Sequence, residues 1–254
     1  MKKPLLVLGA LALALTTAAH ADTLRFATDA SYPPFSKQGA DGKMTGFDPD
    51  IAQALCAAMK AQCEVLPQDF DGIIPALNAK KFDAVIASMN ITEERKKAVD
   101  FSDKYYNMAS RLVAREGSQV NDAWFKGKKI GVLRSSIQEK YAREHFVKRG
   151  AKLVSYGKAP ESFLDLKAAR VDAAFVDAAV GDVDFVKTAN GKGFALVGPD
   201  YNDPKYFGVG SGIAVRKGDK ALLARINQAL KQIRADGTYD KIQKKYFSFD
   251  IYGK

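Results

Sequence analysis

Ser88-Met89-Asn90-Ile91-Thr92-Glu93-Glu94-Arg95, running on to Phe101-Ser102-Asp103-Lys104-Tyr105-Tyr106, is the stretch whose reading decides the fold. The apolar run Phe82-Asp83-Ala84-Val85-Ile86-Ala87 before it reads as a buried strand and stops at small polar residues. Thr92 can cap a short helical turn, and Arg95 follows three residues later. A small polar rim with one positioned arginine suits an anion at the open end of a sheet. A surface pairing of Arg95 with Glu93 or Glu94 fits the same local pattern, because isolated charges usually face solvent. The choice between the two rests on the surrounding chain.

Upstream, Thr23 to Thr28 alternates as a strand and ends at the loop Asp29-Ala30-Ser31-Tyr32-Pro33-Pro34-Phe35, which cannot be helical. A hairpin-type excursion reaches Phe47. Asp48 or Asp50 then opens a helix carrying Ile51, Leu55, Ala58 and Met59 at helical spacing. Cys63 to Leu66 is a strand, and the segment from Phe70 to Leu77 opens a second helix with Asp71 near its start. With Phe82 to Ala87, this gives strand, helix, strand, helix, strand, the pattern of a parallel α/β unit.

Downstream, Lys104 to Arg115 reads as one long extended segment leading out of that unit. A second unit follows, with strands at Lys129–Leu133, Ala151–Tyr156, Ala173–Val176 and Phe194–Val197. Helices are expected at Ser136–Val147, Pro160–Ala169 and Ala179–Thr188. After the glycine-rich run Tyr206 to Gly212 and the extended run Ile213 to Arg216, an amphipathic helix carries Leu222, Leu223, Ile226, Ala229, Leu230 and Ile233. It stops at Asp236-Gly237, and a last helix runs from Tyr239 to Tyr246. The fold expected is α/β with two facing lobes, each a sheet flanked by helices, joined by two extended crossing strands. The limits are 22–106 with 211–254 for the first lobe, 111–201 for the second, and 107–110 and 202–210 for the crossings.

Residues 1–21 are expected to be no part of that fold. Met1-Lys2-Lys3 is basic, Leu5 to Leu15 is apolar but too short to span a bilayer, and Ala19-His20-Ala21 is a small-x-small cleavage site. These are the parts of a secretory signal peptide cleaved after Ala21, so the mature chain is expected to be exported. Its formal charge is +10 over the full sequence. The basic residues are interleaved with acids along helices rather than gathered into a tract, which argues against nucleic-acid binding. The chain has two cysteines, Cys56 and Cys63. An even count in an oxidising compartment favours a disulfide, here stapling a helix-to-strand turn. His145 is read as a helix-face residue.

Ligands of doubly wound folds bind at the carboxyl ends of the strands, in the crevice between lobes. The loops at those ends carry Asp29 and Tyr32, then Phe70, then Ser88, Asn90 and Arg95. In the second unit they carry the helix start at Ile137, with Ser136 and Glu139 in capping-box spacing, and Asp177. Taken together these groups describe a dipolar solute. Arg95 and the helix start near Ile137 hold a carboxylate, Asp177 holds an ammonium, Tyr32 and Phe70 sandwich a side chain, and Asp29 faces a cationic tip. Taken singly, Asp177 fits a helix N-cap and Phe70 fits a core residue equally well; the joint occurrence carries the reading.

The chain resembles periplasmic amino-acid-binding proteins of ABC importers, family 3 of the solute-binding proteins, in the branch that binds lysine, arginine, ornithine or histidine. The carriers are Tyr32-Pro33-Pro34-Phe35, Gly46-Phe47-Asp48, Phe70 to Leu77, Ile91 to Arg95, Phe101-Ser102, Lys205 to Gly208 and Asp236-Gly237-Thr238-Tyr239. The resemblance implies the two-lobed type II periplasmic-binding-protein fold, a Cys56–Cys63 disulfide, and a monomer that delivers its ligand to an inner-membrane permease without cofactor or metal. It assigns the ligand carboxylate to Arg95, the ammonium to Asp177, stacking to Tyr32 and Phe70, a basic tip to Asp29, and hydrogen bonds to Ser88. Three positions depart from that branch: Ala87 where a serine is common, Asn90 where a serine or aspartate is common, and Ile137 where a threonine is expected. A basic L-amino acid is therefore the first expectation, with histidine, an opine or glutamine next. Two other classes share parts of this pattern. A dehydratase on the same fold would need an acid such as Asp29 or Asp177 to act in proton transfer, and the sequence lacks a serine–histidine–acid set, a metal cluster and a phosphate loop. A sensor ectodomain would need a membrane span after the binding fold.

The exported product is expected to begin at Asp22; intact-mass measurement on protein recovered from the cell exterior checks this, and a mass retaining residues 1–21 would overturn the leader assignment.

Overall fold

The computed structural model describes residues 23–253. The leader read at 1–21 lies outside them. Strands β1 (Thr23–Thr28), β5 (Gln62–Pro67), β6 (Ala84–Val85), β7 (Val99–Tyr106) and β13 (Ser211–Arg216) form one five-stranded sheet in the order β5-β1-β6-β13-β7. β1 runs parallel to β5 and β6, and β13 pairs antiparallel with β6 and β7. A second five-stranded sheet has the order β10-β9-β11-β8-β12, from β8 (Ser110–Arg115), β9 (Lys129–Leu133), β10 (Lys152–Tyr156), β11 (Ala173–Asp177) and β12 (Phe194–Tyr201). β9, β10 and β11 are parallel, and β8 and β12 are antiparallel. Short strands β2 (Ser31–Tyr32), β3 (Ser36–Gln38) and β4 (Met44–Thr45) form the excursion expected after β1.

Central strands are apolar throughout because helices cover both faces of a parallel sheet. All five residues of β11 are buried. α1 (Phe47–Ala58), α2 (Ile73–Asn78), α7 (Lys220–Ala235) and α8 (Thr238–Tyr246) belong to the first lobe. α3 (Ile137–His145), α4 (Ala159–Lys167) and α5 (Ala178–Val180) belong to the second. α7 buries Leu222, Ile226, Ala229, Leu230 and Ile233, a stripe at helical period. Asp219 caps its start by accepting the Leu222 N–H at 3.3 Å. Cys56 and Cys63 form the disulfide, Cα to Cα 5.8 Å, between α1 and β5. His145 lies on α3 with its ring stacked 4.3 Å from Tyr141 and edge-to-face 4.8 Å from Tyr206.

Three expectations are corrected. The extended run 104–115 is two strands in different sheets, broken at Asn107, Met108 and Ala109. The helix expected over 179–188 is present over 178–186, but only its first turn, α5, is α-helical and Gly181–Val186 is a π-helix. A Cβ on Gly181 would come within 2.6 Å of Val113, so the backbone there sits against β8. The crossing 202–210 is not an extended strand. It carries the one-turn helix α6 (Pro204–Phe207), capped by Asp203 accepting the Lys205 N–H at 3.0 Å. Gly208 has φ +68, and a Cβ there would overlap the Ile91 carbonyl oxygen, so only glycine fits. This crossing is tied to the polar rim: Ile91 N–H donates to Gly210 O at 2.8 Å, Gly212 N–H to Met89 O at 3.0 Å, and Asn90 Nδ2 to Phe207 O at 3.0 Å.

The disulfide closes a loop of sequence separation 7. Replacing both cysteines by serine is expected to lower unfolding free energy by about 2.5 kcal/mol from loop-closure entropy, measured by urea denaturation.

Candidate functional site

The two lobes meet over a small cavity. The first lobe lines it with Asp29, Tyr32, Phe70, Ala87, Ser88, Asn90 and Arg95; the second with Leu133, Ser136, Ile137, Gln138 and Asp177. Every residue singled out at the strand ends thus borders one space. Asp29 follows β1, Ser88 and Asn90 follow β6, Ile137 opens α3 after β9, and Asp177 ends β11.

Asp177 is 4 % exposed and fully bonded. Its Oδ2 accepts from Tyr32 Oη at 2.9 Å, across the cleft. Its Oδ1 accepts from Gln138 Nε2 at 2.8 Å and Ser110 Oγ at 3.1 Å. It stands at the start of α5 but its side chain makes no cap bond, so the carboxylate is given over to the cavity. Burial pushes its pKa up to about 6, against the opposing pull of those donors and of Arg95. Asp29 is also 4 % exposed. Its Oδ1 accepts the Ser31 N–H at 2.8 Å and Ser31 Oγ at 3.0 Å. Burial raises its pKa, more than the Ser31 donors lower it.

Arg95 is half-buried. Its backbone N–H donates to Thr92 Oγ1 at 3.3 Å, the cap expected from the sequence. Its guanidinium donates to Asn90 O at 3.1 Å and, from the opposite lobe, to Ser135 O at 3.3 Å. It lies 5.4 Å over the Phe70 ring. Desolvation lowers its pKa to about 10, which leaves it charged at neutral pH. Glu93 and Glu94 pair elsewhere, Glu93 with Lys96 at 2.8 Å and Glu94 with Lys140 of the other lobe. Asp71 lies in the first helical turn, as expected, and also meets Arg134 across the rim at 3.1 Å.

Ser136 caps α3, its Oγ accepting the Glu139 N–H at 3.0 Å. The reciprocal half of the capping box goes one residue back: Glu139 Oε2 accepts the N–H of Ser135 at 2.8 Å. Ile137 therefore sits in the first turn of a capped helix, whose N-terminus favours negative charge. Tyr32 and Phe70 depart from a simple sandwich, since one binds Asp177 through its hydroxyl and the other carries Arg95 on its face. Leu133, Ser136 and Gln138 were not singled out as ligand contacts by the sequence, although Gln138 adjoins Ile137 and was within reach of the same argument. Ser110, behind Asp177, gave no signal.

A pair of α/β lobes closed over a small cavity, with opposite charges contributed from the two sides, defines a solute-binding protein. The chain belongs to the bacterial extracellular solute-binding proteins, family 3, whose model matches residues 24–249. It is 50 % identical over 256 residues, 99 % of each chain, to the L-arginine-binding protein of Pseudomonas aeruginosa. It is 44 % identical over 260 residues, 100 % of each chain, to the lysine/arginine/ornithine-binding periplasmic protein of Escherichia coli. Among solved structures, a Salmonella typhimurium periplasmic binding protein described as highly specific for arginine superposes with TM-score 0.83 at 38 % identity. That match covers 90 % of this chain and 100 % of the other.

An acid whose pKa is raised on folding contributes stability below its unfolded pKa and loses it as pH rises through the folded value. For Asp177 that window runs from the ordinary carboxylate range up to about 6. Asp177→Asn is therefore expected to melt progressively higher than the parent, without ligand, as pH rises through this window. Paired thermal melts across that range check it, and a constant offset would contradict the burial of an uncompensated charge.

Proposed function

We propose that the protein captures a basic L-amino acid, with arginine, lysine and ornithine foremost, and delivers it to the membrane permease of an ABC importer. The observation that carries this reading is the placement of Arg95 and Asp177 on opposite lobes of one cavity, with Asp29 as a second buried acid. A zwitterion satisfies the first two charges at once. The additional acid favours a ligand with a cationic side chain, because a buried carboxylate without a positive partner costs several kcal/mol. Two close relatives, an L-arginine-binding protein and a lysine/arginine/ornithine-binding periplasmic protein, support the same class. In this reading the protein acts as an exported monomer in the periplasm and docks on its permease transiently. Ligand bridges the lobes and draws the population toward the closed form. It performs no chemistry on the ligand.

A thermal-shift panel of amino acids followed by calorimetry tests the proposal. Arginine, lysine and ornithine are expected to stabilise the fold. A panel in which only acidic or branched apolar amino acids do so would overturn it. Arg95→Ala and Asp177→Ala are each expected to weaken binding by at least about 2 kcal/mol, roughly thirtyfold, because each strands an opposite charge of the ligand. Asp29→Asn is expected to cost arginine about tenfold or more while sparing glutamine.

A further inference from the structure

Asp48 does not line the cavity, yet it is bonded to a residue that does. It lies in the first turn of α1 and is 0 % exposed. Its Oδ2 accepts from Ser88 Oγ at 3.1 Å, and its Oδ1 accepts from Tyr105 Oη at 2.8 Å. The Tyr105 oxygen in turn accepts the Ser88 backbone N–H at 3.0 Å. Ser88 O accepts from Ser211 Oγ at 3.3 Å. Every polar group of Ser88 is thus held by protein, and its φ is +52. A left-handed serine costs roughly 1–2 kcal/mol and persists only when its surroundings enforce it.

We propose that Asp48 is a positioning residue for the ligand's ammonium group. By taking the Ser88 hydroxyl proton and, through Tyr105, anchoring the Ser88 N–H, it fixes the left-handed turn and leaves the hydroxyl able only to accept. A serine hydroxyl has one proton and two lone pairs. With the proton given to Asp48, Ser88 offers the cavity lone pairs, which suit an ammonium and repel a carboxylate. The same turn sets the course of the rim as far as Asn90, whose carbonyl receives Arg95 at 3.1 Å. One acid beneath the floor thereby sorts the two ends of a dipolar ligand. This rests on the reading of the cavity as an amino-acid site.

The polarity of the Ser88 hydroxyl is reversible. Protonated Asp48 donates to Ser88 Oγ instead of accepting from it, and the hydroxyl proton is released toward the cavity. Burial raises the Asp48 pKa to about 7, against the donors Tyr105 and Ser88. The other titratable groups bearing on Asp48 are Tyr106 on β7, Tyr239 on α8 and Asp177 across the cavity. The tyrosines, Tyr105 included, have raised pKa values and remain neutral, so Asp177 alone shares the range.

The test is calorimetry with arginine, and with the rest of the amino-acid panel, on the parent and on Asp48→Asn, which donates where the carboxylate accepts. At about pH 8 the variant is expected to bind about tenfold more weakly, and the ratio of its Kd to the parent's is expected to fall toward one by about pH 6. Taking this ratio removes the titration of Asp177 common to both proteins and leaves only its coupling to residue 48. Asp48→Asn added to Ser88→Ala is expected to cost little more than Ser88→Ala alone. Equal affinities at the higher pH, a ratio indifferent to pH, or full additivity of the two substitutions would overturn the proposal. Should Asp48→Asn fail to fold, Tyr105→Phe keeps the acid and removes the relay, and is expected to weaken binding severalfold. Should the parent bind no amino acid, the functional reading fails by itself. A crystal structure of Asp48→Ala then decides the role of Asp48: departure of Ser88 from positive φ supports it, and retention refutes it.

Discussion

A buried carboxylate facing a guanidinium across a cleft is the constraint on which the rest of the structure depends. Asp177 accepts three hydrogen bonds, and even so its proton affinity stays above that of a free aspartate. The donors come from Tyr32 of one lobe and from Ser110 and Gln138 of the other, so the acid is held from both sides. They orient the carboxylate without neutralising it. What remains is an electrostatic demand that a cation entering the cavity can meet. Arg95 makes the opposite demand, and its cost is shared with two carbonyls and the Phe70 face. The fold satisfies both by bringing strand ends of two sheets to one small space.

Much of this arrangement could be read from the chain. The alternation of short apolar runs with amphipathic stretches gave the two units and, from the carboxyl ends of their strands, the residues around the cavity. Charge type did the rest, since an arginine and acids placed at successive strand ends have few common explanations. The opening stretch resolved in favour of the site because Glu93 and Glu94 found Lys96 and Lys140, leaving Arg95 to the carbonyls and the cavity.

The parts that escaped the sequence have a common physical origin. The crossing at 202–210 reads as extended from its glycines, but Asp203 caps a helical turn locally and Gly208 exists to let that turn approach Ile91. The helix after Asp177 changes from α to π at Gly181, whose backbone packs against Val113, a contact between residues far apart in the chain. Asp48 looks like an ordinary acid in the first turn of a helix, where a negative charge is favoured anyway. Its partners, Ser88 and Tyr105, lie 40 and 57 residues away. Local pattern reports which residues an element contains, whereas these cases turn on which element arrives beside it.

The rim pairs Asp71–Arg134 and Glu94–Lys140 join the lobes outside the cavity, on side chains that are substantially solvated. Exposed pairs of this kind contribute about 0–1 kcal/mol and are screened by salt. They therefore add little to the equilibrium between open and shut. Their effect falls on the first moment of separation, when both must break before solvent enters. Screening can take from the barrier to opening no more than it takes from the closed form itself, so a cell in brine would run the same receptor with dwell and affinity shifted together, and only slightly.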